Sequence, residues 1–226
     1  MSASIPDRIT GTVEILAALA VDASAEPPAL AELVSTWVRA VEIGLFGPGR
    51  IRPQGVLETR GRRVSGRFEC EQVSQTAFHV LLRMIRYFSK VKGQVDSFDV
   101  FHDGQQVVPA GGMTLLALPQ PIPFAVEYPE DLKRYVRVEI EFRRPLTPNE
   151  RDTIFDAFSV WSAMIEALGE EEWWGRRSDR QSRLLSLSIV EHEVNGYYAS
   201  FECLYFIVWL GLRLHQRLII ERITME

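Results

Sequence analysis

The three-residue word Phe-Glu-Cys occurs twice in this chain, at Phe68-Glu69-Cys70 and at Phe201-Glu202-Cys203, in segments that align without a gap: Val56-Leu57-Glu58 through Cys70, and Ile189-Val190-Glu191 through Cys203. Upstream of each segment lies a strand pattern followed by a helix pattern. Downstream of each lies a helix and then a closing strand. Such self-similarity restricts the chain to one supersecondary unit used twice, and 226 residues leave each half long enough to bury its own core.

The first half opens with Val13, Ile15 and Ala17 in one phase and Thr12 and Glu14 in the other, the mark of a half-buried strand. Leu30, Leu33, Val34, Trp37, Val38, Val41 and Leu45 then recur at helical spacing. Two strands are expected near 56–59 and 64–70. Ser74 is placed to cap a helix striped by Phe78, Leu81, Leu82, Ile85 and Phe88, with His79 assigned to its polar face. Val95 to Phe101 closes the unit, and His102-Asp103-Gly104 turns the chain.

Residues 109–129 hold five of the twelve prolines and read as a linker. The second half begins with the cleanest alternation in the chain, in which Val136, Val138, Ile140 and Phe142 interleave with Arg137, Glu139, Glu141 and Arg143. Thr147-Pro148-Asn149-Glu150 has the form of a capping box with proline at the first helical position. Leu185, Leu187 and Ile189 alternate next, Asn195-Gly196 is the strongest hairpin signal, and 197–203 is expected as the returning strand. A helix over 204–218 and a strand over 219–225 finish the half.

Each half therefore reads β-α-β-β-α-β, an order of elements that resembles the ferredoxin-like fold. The expectation is an α+β protein of two tandem ferredoxin-like units with antiparallel sheets, packed together: 1–106, a linker over 107–132, and 133–226. Fold of this kind says little about role.

Composition narrows function more than motif does. The net charge is −5, and all of it falls in residues 121–226, with 13 Lys and Arg against 18 Asp and Glu. This argues against nucleic acid, whose binding draws on phosphate neutralisation, and for a basic protein partner. The arginines Arg50, Arg52, Arg60, Arg62, Arg63 and Arg67 lie around the first hairpin without a phosphate-cradling glycine pattern, and the third strand lacks the paired aromatics of RNA-recognition modules. The longest apolar run, Leu204 to Leu212, has nine residues where a membrane span needs about 20. Glu14 and Asp7 spoil a signal-peptide reading of the first stretch. Two cysteines in apolar strand phases are expected as free buried thiols in a reducing cytoplasm.

Three candidate surfaces follow. The acidic aromatic loop Glu170-Glu171-Glu172-Trp173-Trp174 is the expected partner-binding element, since tryptophan in a polar rim anchors interfaces. Glu14 and Glu69, and by repetition Glu139 and Glu202, are expected as carboxylate pairs on neighbouring strands, able to divide acid and base roles or to remain a salt-bridged surface. The helix beginning at Leu204 is apolar nearly all round, so the other half, the linker or a second copy in a homodimer must cover it. His79, His102, His192 and His215 show no ligand spacing, no nucleophile elbow or phosphate loop is present, and no cofactor or metal is called for. The sequence thus points to a non-enzymatic, soluble protein-binding module, concretely a bacterial inhibitor of the toxin-immunity kind. The alternative is a small-molecule enzyme or sensor with a carboxylate pocket on the sheet face.

Overall fold

The computed structural model describes residues 3–4, 6–19, 28–53, 58–60, 62–92, 95–108, 118–130, 135–168, 180–195 and 201–226. It is an α+β structure with two sheets and four helices among these residues, dividing into two compact units: Met1–Glu42 with Phe46–Leu116, and Ile43–Leu45 with Ala117–Glu226. None of the described helices is long and apolar enough to cross a membrane.

In the first unit the elements are β1 (Ala3–Ser4), β2 (Arg8–Leu19), α1 (Pro28–Glu42), β3 (Arg50–Pro53), β4 (Glu58–Arg60), β5 (Arg63–Ser74), α2 (Gln75–Lys92), β6 (Val95–His102) and β7 (Gln105–Val108). Their sheet runs β1-β7-β6-β2-β5-β3, with β4 also pairing β5. The long β2 is central, pairing β5 on one side and β6 on the other, and its Val13, Ile15 and Ala17 phase is buried. Trp37 from α1 is the fully buried centre of this core, edge-on to Phe68 and Phe78, and its indole N–H donates to the Ala77 carbonyl at 2.7 Å. Ser74 caps α2 as expected, accepting from the Ala77 N–H. Three strands of this unit were not foreseen: β3, formed where the sequence suggested loop, β7, which the Asp103-Gly104 turn folds back onto β6, and the short β1, which pairs with β7.

Gly11 interrupts β2 at a bulge with φ of +118°, and a Cβ there would lie 2.6 Å from an Asp103 carboxylate oxygen. That carboxylate accepts the Thr12 N–H at 2.8 Å, tying the β6–β7 turn to β2. Gly11→Ala is expected to cost about 2 kcal/mol, from the positive φ and the displaced Asp103 together. A urea midpoint equal to that of the unsubstituted protein would show that the bulge relaxes freely.

The second unit comprises β8 (Ala125–Glu127), β9 (Tyr135–Phe142), α3 (Pro148–Leu168), β10 (Arg180–Ser186), β11 (Ile189–Asn195), α4 (Phe201–His215) and β12 (Ile220–Met225), in sheet order β10-β11-β9-β12-β8. The capping box forms as read: the Thr147 N–H donates to Glu150 Oε2 at 2.8 Å, the Glu150 N–H donates to Thr147 Oγ1 at 3.4 Å, and Pro148 is the first helical residue. Arg144 joins Glu150 through two hydrogen bonds and, with the Thr147 contacts, holds that carboxyl down at about 2.

The hairpin departs from expectation. The turn is Leu187-Ser188, joining β10 to β11, and Asn195 ends β11 instead of opening the turn. Phe201-Glu202-Cys203 consequently lies in the first turn of α4, whereas Phe68-Glu69-Cys70 lies in β5. The gap-free alignment of the two words is therefore not a structural equivalence. The physical reason is burial: Val190, His192 and Val194 form the inward phase of the strand, while Leu185 and Leu187 stand 45% and 71% exposed. Within this unit α4 packs on β12 and on the residues before β8, where Gly211 lets the helix approach until a Cβ there would meet Ile223 at 2.5 Å and Phe124 at 3.0 Å. Tyr128 packs against Tyr205 on the same stretch. The segment expected as linker thus contributes Phe124 and Tyr128 to that packing and supplies the edge strand β8.

Candidate functional site

Strand alternation gives the second sheet two unlike faces. Val136, Val138, Ile140, Val190, Val194 and Ile223 are buried on one. Arg137, Glu139, Glu141, Glu191, Glu193, Arg183, Arg222 and Thr224 share the other, as the registers Glu139↔Glu191, Arg137↔Glu193, Arg183↔Glu191 and Thr224↔Glu139 require. The row is laced by ion pairs. Arg222 reaches Glu141 at 3.2 Å and Glu127 at 3.4 Å, Arg137 reaches Glu226 at 3.5 Å, and Thr224 donates to Glu127 at 3.3 Å.

Glu191 is the exception to the openness of this face, being 2% exposed. Arg137 Nε lies 3.4 Å from its Oε2, and Arg183 Nε lies 2.5 Å from its Oε1. Glu191 Oε1 has no aligned hydrogen-bond donor, so this second contact is an ion pair. Glu139, directly opposite on β9, has its carboxyl pushed above the usual carboxylate range. Burial is the first cause, and the Glu191 and Glu226 charges and a hydrogen bond with Glu191 add to it, while Arg137 opposes.

The expected carboxylate pairs fare unevenly. Glu139 is on the face as read, but its partner is Glu191; Glu202 is in α4 and is not its strand neighbour. In the first sheet Glu14 sits opposite Arg67, and Glu69 opposite Thr12, whose hydroxyl donates to it at 2.9 Å. Those two carboxylates are diagonal neighbours, each with its own facing partner. The loop Glu170 to Trp174 lies outside the described residues.

Behind Glu191, on the buried face, His192 is 1% exposed and stacks on Phe158 at 4.8 Å with 8° between the rings. Ser162 Oγ is 2.5 Å from its Nε2 and Ser182 Oγ 2.7 Å from its Nδ1. Hydroxyls can donate or accept, so both ring nitrogens are satisfied in either tautomer. With Ser162 fully buried, this is a core polar network and not an exposed nucleophile. His79, expected on a polar helix face, is 6% exposed with Nε2 unpartnered, and burial lowers its pKa from 6.5. Cys70 is free and buried, its thiol raised to about 12 chiefly by that burial. Among the described residues no group of His, Cys, Asp and Glu is arranged to hold a metal.

The chain matches no protein-family model and no curated protein. Among solved structures it aligns with the periplasmic protease PqqL from Escherichia coli at 9% identity and TM-score 0.19, covering 96% of this chain and 35% of that one. It aligns with a variant of chlorite dismutase from Candidatus Nitrospira defluvii at 10% identity and TM-score 0.19, covering 92% and 83%. The chain thus spans about a third of the protease's length. Likeness this slight carries no argument about fold or role.

Proposed function

We propose that this protein is a non-enzymatic binding module whose outer face on the second sheet engages a basic protein partner, in the manner of an inhibitor that masks a cationic toxin. The observation that carries the reading is the charge of that face. Among its described side chains six carboxylates (Glu127, Glu139, Glu141, Glu191, Glu193 and Glu226) stand with three guanidinia (Arg137, Arg183 and Arg222), an acidic excess set on a rigid sheet. Complementary potential of this kind steers encounter and fixes register. We read each unit as ferredoxin-like, which the central orders β6-β2-β5-β4 and β12-β9-β11-β10 support. A reducing cytoplasm suits the unoxidised, buried Cys70.

Affinity capture from the native host, run in parallel with a Glu141→Gln/Glu193→Gln variant, tests this. The expected result is a stoichiometric basic protein bound by the unsubstituted chain and about tenfold more weakly by the variant. The variant's own stability should stay within about 0.5 kcal/mol. Capture of an acidic partner, or equal retention by both proteins, would overturn the reading.

The second reading, a small-molecule site, draws on the Glu139 carboxyl, whose raised pKa beside Glu191 suits acid-base work. Against it, Arg183 and Arg222 on this face are each about half exposed, at 51% and 50%, so a substrate there would remain in water.

A further inference from the structure

Two carboxyls directly opposite on adjacent strands cannot both ionise without repulsion, so one holds a proton more tightly than an isolated group would. The arginines decide which. Arg137 and Arg183 both converge on Glu191, whereas Glu139 across from it has its carboxyl raised, by burial first and by the Glu191 charge next, so Glu139 is the member of the pair that holds its proton more tightly. The other groups facing Glu139 are few. Arg137 and Glu141 flank it on β9, Glu191 and Glu193 face it from β11, and Arg222, Thr224 and Glu226 from β12. Arg183 reaches the pair from β10 through Glu191, and Glu127 on β8 stands beyond Thr224.

We propose that the Glu139–Glu191 pair makes binding of a basic partner proton-linked: Glu139 gives its proton to solvent as cationic side chains settle on the face. The inference rests on the binding reading above. With the proton in place the face carries an excess of two negative charges, and after its loss an excess of three. A partner with lysines or arginines binds the second form better and shifts the pair toward it.

The same proton has a signature that needs no partner. A carboxyl whose proton affinity is raised by folding contributes stability that is complete below its ordinary value of 4.5 and is lost as pH rises through its folded value. Glu139→Gln cannot lose it. His79 acts on the other side, since its lowered pKa means stability is lost as pH falls below 6.5, and it is common to both proteins. The urea midpoints of Glu139→Gln and the unsubstituted chain should therefore coincide near pH 4 and separate by pH 8, the variant lying higher. Parallel profiles would overturn the inference. Carbon-13 titration of the Glu139 carboxyl in the unsubstituted chain gives the same answer without a variant, and an apparent value at or below 4.5 would likewise overturn it.

For binding, the probe is a nine-residue arginine peptide at low salt. One added charge in contact is worth about fivefold in affinity, so the unsubstituted chain should bind about fivefold tighter at pH 8 than at pH 5, and Glu139→Gln should show less than twofold change. Equal affinity at both pH values would overturn the proton linkage and leave the binding reading standing. No binding by either protein at either pH would remove the binding reading itself, whatever the stability profiles show.

Discussion

Trp37→Ala should destabilise the first unit by about 4 kcal/mol, the largest single-residue effect expected in this protein. The side chain is fully buried, with Phe68 and Phe78 rings at centroid distances of 5.7 and 5.1 Å. Truncation leaves a cavity between α1, α2 and β5 that these large rings cannot collapse into without leaving their rotamers. It also removes the donor to the Ala77 carbonyl, although that oxygen belongs to the first turns of α2 and retains access to helical N–H groups. Trp37→Phe keeps most of the buried area and should cost about half as much. Urea unfolding followed by far-ultraviolet circular dichroism reads both, and a loss below about 1 kcal/mol for the alanine variant would mean that the core repacks around the gap.

His192→Leu is the second large effect, at about 3 kcal/mol. The ring's stack on Phe158 is lost, and the buried Ser162 hydroxyl loses its partner at Nε2. Because much of the cost belongs to the orphaned hydroxyl, adding Ser162→Ala should recover about 1 kcal/mol, a non-additivity that a merely apolar site would not show. If the double variant is the sum of the two singles, the Ser162–His192 bond is not what the core depends on.

Much of the architecture was legible because it rests on local signals with one meaning. The alternation from Val136 to Phe142 gave β9, Thr147 to Glu150 gave the start of α3, and the stripe through Trp37 gave α1. The hairpin was misread because two signals competed. Asn195-Gly196 is a strong turn by local chemistry, but the pairing that buries Val190, His192 and Val194 sets the turn at Leu187-Ser188, and tertiary burial outweighs a dipeptide preference. Everything at the site followed from that register. Glu139 was identified from its own strand, whereas Glu191 entered only through the alignment of the two Phe-Glu-Cys segments, since which residue lies across from Glu139 is a property of the pairing and not of either segment. His79 was missed for a related reason: a histidine at a polar helical spacing is buried when another element covers that side.

Gly211 ties distant stretches of chain into one mechanical part. With no side chain between α4 and β12, the helix bears directly on Ile223 and Phe124, and Phe124 leads into β8, whose Glu127 grips Arg222 and Thr224. A substitution that displaces Phe124 would therefore disturb α4, β8 and the strand carrying Arg222 and Thr224 together.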